Sequence, residues 1–131
     1  MAEYSSSVEI EADPEDVFDF LVTNEGMTAW MGQHAALDPM IGGDFAVNIA
    51  GYAIRGEYLE IDRPRRLVFT FAVPALSPEY DRVTVQIVRL DKGCELTLTS
   101  EMSPEIYAEW GEQTREGWTA MLGGLADALR E

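Results

Sequence analysis

Three residues of types that move protons or hold anions stand out in the chain: His34, Tyr52 and Arg55. His34 is the only histidine and lies in "MGQHAALDPM", a loop-like stretch with Asp38 four residues on. A histidine base needs an orienting partner and a substrate proton within about 3 Å. Asp38 would be that partner. Arg55, if it faced inward, would offer its guanidinium to a carboxylate or a phenolate. Asn48, Gln86 and Arg89 also interrupt otherwise apolar strands. Small-molecule sites are built this way, from apolar walls and a few placed polar groups. The plainer reading leaves His34 exposed on a loop and pairs Arg55 with Glu57 on an outer sheet face.

Other chemistries lack their residues. The sequence has no Gly-x-Ser-x-Gly elbow, no phosphate-cradling Gly-x-x-x-x-Gly-Lys loop and no dinucleotide fingerprint. The single cysteine, Cys94, cannot form an internal disulfide or a thiolate zinc cluster. It reads as a small apolar residue at a strand start. Glu9 with Glu11, or Glu57 with Asp62, could be offered to a metal, but their setting reads as the solvated face of strands. No metal and no cofactor are expected.

These residues must be positioned by a chain of 131 residues, for which one domain spanning 1–131 is the natural expectation. With 9 basic against 24 acidic residues the net charge is −15, which repels nucleic acid and anionic membranes. No apolar run reaches the ~20 residues of a membrane-spanning helix. The opening "MAEYSSSVEI" lacks a basic block before an apolar one, so a cytoplasmic location is expected.

"YSSSVEIEA" alternates and predicts a first strand. "DPEDVFDFLV" predicts a short helix, with Asp13 as N-cap and Pro14 in the first turn. "MTAWMG" predicts a second helix closing at Gly32. Period-two patterns then predict about five antiparallel strands through "CELTLTSEM". From "SPEIYAEW" onward, Ile106, Trp110, Thr114, Trp118, Met121, Leu122, Leu125 and Leu129 form one face of a helix of about 25 residues. The facing of Arg55 stays open, because Tyr52, Ile54 and Tyr58 share one face of their strand while Leu59 and Ile61 share the other. Strand, two helices, meander and long helix make an α+β fold. The long helix carries Gly117, Gly123 and Gly124 in "EGWTAMLGGL". Missing side chains would permit a bend or a close approach as that helix crosses a curved sheet.

Quoted end to end, the segments resemble a known family. "IEADPEDVFDFLV", Trp30, "IGGDFAV", "GEYLEIDRPRRLVFTF", "VTVQI", "CELTLT" and "EGWTAMLGGL" follow in the order and spacing of the START-like, helix-grip superfamily. Within it the chain is most similar to the branch of the activator of heat-shock protein 90 ATPase homologue. Cys94 stands where a threonine is usual, and Ser100 where the family often has histidine. The resemblance implies a curved antiparallel sheet of roughly six to seven strands around the terminal helix, with a pocket between them. Members include carriers of lipids and other hydrophobic ligands, polyketide cyclases and a co-chaperone domain. On that footing the expected function is binding of a small hydrophobic or aromatic ligand between sheet and helix. The expected lining is Trp30, Phe45, Val47, Tyr52, Phe69, Phe71, Trp110, Trp118 and Met121. A cyclase or dehydratase, with His34, Tyr52 or Arg55 as catalyst, is the enzymatic alternative. An adaptor of heat-shock protein 90 is the third reading, and a homodimer is compatible with the two-sided apolar strands.

Overall fold

Val8 and Ile10 alternate with Ser7 and Glu9, and the segment extends accordingly as β1 (Ala2–Ile10). The computed structural model describes residues 2–32, 34–49, 51–75 and 79–129, apart from the Trp110 side chain. After β1 come α1 (Pro14–Val22) and α2 (Asn24–Trp30). The strands β2 (His34–Leu37), β3 (Asp44–Ile49), β4 (Tyr52–Asp62), β5 (Arg66–Phe71), β6 (Asp81–Leu90) and β7 (Gly93–Met102) follow, then α3 (Pro104–Leu129). They form one seven-stranded antiparallel sheet in the order β1-β7-β6-β5-β4-β3-β2. The α+β architecture expected from the sequence is the one observed.

One strand departs from expectation. The stretch around His34, expected to be a loop, contains β2, and His34 pairs with Asn48 of β3. Asp38 lies beyond the end of this strand, about 13 Å from His34 at 3.3 Å per residue, so the expected partnership does not form.

Local chemistry explains the helix ends. Asp13 holds the N-cap position of α1 but makes no side-chain cap; its carboxylate accepts from Arg89 at 2.9 Å instead. Thr23 caps α2, its hydroxyl accepting from the Gly26 N–H at 3.0 Å. Ser103 caps α3 by accepting from the Ile106 N–H at 3.3 Å. Asn24 of α2 accepts the Leu37 N–H of the edge strand β2 at 3.0 Å. Arg63, in the β4–β5 turn, bonds both Glu15 and Asp19 of α1 and lies over the Phe18 ring.

The core fills the space between the inner sheet face and the helices, with Phe18, Leu67, Leu96, Leu98, Trp118 and Leu122 almost wholly buried. The α3 backbone comes closest to β1 and α2, and Ser6 of β1 bonds Thr119 of α3 at 3.1 Å. The facing ambiguity in β4 has a physical cause. Tyr58 pairs with Phe69 but Glu60 pairs with Val68, so Leu59 is an extra residue, a β-bulge. The bulge restores Ile61 to the inner face, opposite Leu67, and leaves Leu59 39% exposed.

Close approach is not the reason for the α3 glycines. A Cβ at Gly117, Gly123 or Gly124 would meet nothing within 4 Å, so no neighbouring backbone requires them. Each Gly→Ala change at these positions is expected to stabilise the protein by about 0.4–1 kcal/mol, through a less disordered unfolded state and better helix propensity. Denaturant unfolding of the triple variant measures this; lower stability would mean that the glycines serve a conformation not seen here.

Candidate functional site

The register aligns five inner-facing residues across five strands: Tyr4, Ser100, Val83, Phe69 and Tyr58. All are buried beneath the helical layer. Phe45 of β3 stacks on Phe69 with centroids 4.5 Å apart, and Tyr58 presents an edge to Phe45 at 6.0 Å. Phe71 meets Trp118 of α3 at 5.1 Å, bridging sheet and helix. The interior is thus an aromatic chamber walled by the sheet and α3 and filled by its own buried side chains, with a tyrosine at each end of one row.

Neither tyrosine hydroxyl has a hydrogen-bond partner among the described residues. A buried polar group left unpaired costs about 1–3 kcal/mol. Burial is the main force pushing both phenols above their ordinary range. Ser100 opposes that shift at Tyr4, being close by but short of hydrogen-bond geometry with its hydroxyl. Ser100, fully buried, donates a long hydrogen bond of 3.4 Å to Asp81 Oδ2. Asp81 opens β6 opposite Phe71, on the inner face. Burial pushes its carboxyl up to about 6, with Glu79 adding and the Ser100 hydrogen bond opposing.

Asp81 therefore carries a pH signature. The unfolded chain titrates it near 3.8, the native state near 6. Between those values the native state holds the extra proton, so this group's stabilising contribution, complete below 3.8, is lost as pH rises through 6. Asp81→Asn is expected to raise stability by about 1–2 kcal/mol near pH 7.5, partial exposure reducing the full linkage value. The gain should vanish near pH 3.5. Urea unfolding at both pH values decides; a loss at the higher pH would refute it.

The expected lining residues are distributed unevenly. Phe45, Val47, Phe69 and Trp118 are buried in the chamber, and Phe71 and Met121 are half-buried at its edges. Trp30 is half-buried, and its indole N–H donates to Phe20 O at 2.9 Å, pinning the end of α2 to α1. Trp110 lies on α3, but its side chain is outside the described residues, as is Leu76 of the loop before β6. Tyr52 is 45% exposed at the start of β4.

Of the catalytic candidates, His34 and Arg55 come together with Asn48 around an alanine floor, in a hollow of about 220 Å³ on the outer face of the sheet. Tyr52 is not part of it. Arg55 donates to the neighbouring Ile54 O at 2.8 Å. A larger hollow of about 770 Å³, lined by Glu9, Arg89, Leu90, Asp91 and Lys92, lies at the opposite end of the sheet from Asp81. It is an open, charged depression beside a turn, with Leu90 its apolar member. The chamber has the better chemistry. Sequence reasoning missed Tyr4, Tyr58, Asp81 and Ser100 as site residues.

A curved antiparallel sheet closed by a long C-terminal helix defines the helix-grip class. The chain belongs to the family described as Activator of Hsp90 ATPase homolog 1-like protein, whose profile matches residues 11–130. Solved structures share the fold. Protein MLL2253 from Mesorhizobium loti superposes with a TM-score of 0.86 at 18% identity, over 98% of this chain and 96% of that one. The Aha1 dimer from Colwellia psychrerythraea gives 0.81 at 15%, over 99% and 97%. DynU16, from the dynemicin biosynthetic locus, gives 0.86 at 20%, over 97% of this chain and 46% of its own length. No curated protein matches the sequence. Among the described residues, no helix is long and apolar enough to cross a membrane.

Proposed function

We propose that this protein, as one domain, binds a small hydrophobic or aromatic molecule between the sheet and α3. The observation that carries the reading is the pair of buried hydroxyls on Tyr4 and Tyr58, unpartnered among the described residues and set among aromatic rings. Apolar burial would supply most of the affinity, at about 25 cal/mol per Å². The hydroxyls would gain partners only when a guest offers them. Half-buried Phe71, Val73 and Ile106 mark the side on which a guest would enter, beside Asp81 and the first turn of α3. The place of DynU16 in a biosynthetic locus is in keeping with small-molecule work in this fold.

The test is a screen of lipids, phenols and polycyclic aromatics by tryptophan fluorescence and melting temperature. Trp118 should respond to any guest in the chamber. No change with any class at millimolar concentration would end the carrier reading. The dimeric Colwellia protein supports a homodimer as a secondary reading, with exposed Met40 and Ile41 as apolar surface for it. Sedimentation equilibrium would distinguish a dimer from a monomer.

A further inference from the structure

We propose that Tyr4, Ser100 and Asp81 form a recognition subsite for a hydroxyl group on an aromatic guest. The proposal rests on the carrier reading and names the ligand's polar end.

The three residues occupy one end of the chamber. Tyr4 and Ser100 are directly paired across β1 and β7, which brings their Cβ atoms to about 5 Å. Ser100 Oγ reaches Asp81 Oδ2 at 3.4 Å. Asp81 lies near enough to Tyr4 for its charge to act on the phenol. Phe71, opposite Asp81, supplies an aromatic wall that continues to Trp118.

The donors and acceptors specify the guest. Tyr4 is 7% exposed and its hydroxyl has no partner among the described residues, so it has a proton to donate. Ser100 has one proton, and it goes to Asp81. A carboxylate has about four acceptor sites, and Ser100 engages one. The subsite therefore offers a donor and an acceptor side by side. A phenolic hydroxyl satisfies both at once, accepting from Tyr4 and donating to Asp81. A ketone or ether can only accept, and a hydrocarbon does neither. The stacked walls fix the ring to which that hydroxyl is attached.

The experiment uses matched probes on the full chain: 2-naphthol against 2-methylnaphthalene, and p-cresol against p-xylene. Affinities are read by NMR titration of the tryptophan side-chain signals. The hydroxyl member of a pair is expected to bind about tenfold more tightly, the size of one hydrogen bond to a charged group. Tyr4→Phe and Asp81→Leu should each remove most of that preference while leaving the hydrocarbon's affinity unchanged. Both substitutions roughly keep the side-chain shape, and because they lie on different strands, either alone suffices if the other variant fails to fold. Hydrocarbon binding without preference, or a preference that survives in both variants, would overturn the subsite and leave the carrier reading standing. Failure of all four probes to bind would count against both.

Discussion

Alanine at Gly56 is expected to destabilise the protein by about 3 kcal/mol, at or beyond the upper end of ordinary overpacking. A Cβ built on Gly56 would lie 1.9 Å from Thr70 O and 2.6 Å from Thr70 C. Both atoms are backbone, so no rotamer change relieves the clash and β4 must part from β5. The strands are already irregular there. The Glu57 N–H donates to the Thr70 hydroxyl at 2.9 Å, and Arg55 and Ala72 exchange both backbone hydrogen bonds at 2.9 Å just beyond. Parting the strands would sacrifice these contacts and disturb Phe69 and Phe71, which line the chamber. Urea unfolding of Gly56→Ala gives the number. A variant within about 1 kcal/mol of the parent, close to the error of such extrapolations, would show that this approach relaxes freely.

Trp118→Ala is expected to cost about 3–5 kcal/mol, the range for removing a buried indole. Trp118 is 1% exposed and its ring bridges α3 to Phe71. The helix backbone runs closest to β1 and α2, so side chains such as Trp118 make the link from α3 to β5. The space left behind would be lined by Phe71 and its neighbours, and surrounding side chains could close it only in part. Unfolding measurements would detect the loss directly. A cost under about 1.5 kcal/mol would mean that the chamber collapses readily, which would argue against a preformed site.

The order of elements was legible because most carried a clear pattern: period two through β3, β6 and β7, a continuous apolar run in β5, and 3.6 through α1 and α3. The facing of β4 was not, because the bulge at Leu59 inverts the phase halfway along. No local composition announces such an insertion. β2 was also obscured: "HAAL" is short and contains no β-branched residue, and its pairing with β3 is a tertiary fact. Cys94 is a buried residue at the start of β7, as expected, and burial raises its thiol.

The candidate site shows the same division. The apolar members of the expected lining were readable from aromatic content. The polar members were harder to read, because His34 and Arg55 are the side chains that by type alone best move protons or hold anions. Yet a signal existed. Ser100 shares the phase of Leu96, Leu98 and Met102, and Asp81 shares that of Val83, Val85 and Ile87. A polar residue in an inward apolar phase is costly to bury unless it is paired or used. Tyr4 and Tyr58 gave no such signal, because tyrosine counts as apolar in a periodicity test. Only three-dimensional placement shows their hydroxyls unmet among the described residues.

The capture of the Leu37 amide by Asn24 bears on how the molecule meets its own kind. A free sheet margin is a template for strand addition by another chain. Here the β2 margin is four residues long, lies against α2 and has this amide already claimed. The other margin, β1, has α3 alongside and exposes Glu3 and Glu9, whose charges repel an identical strand. Lateral growth into fibrils is disfavoured at both borders, so association between copies is directed to faces and turns.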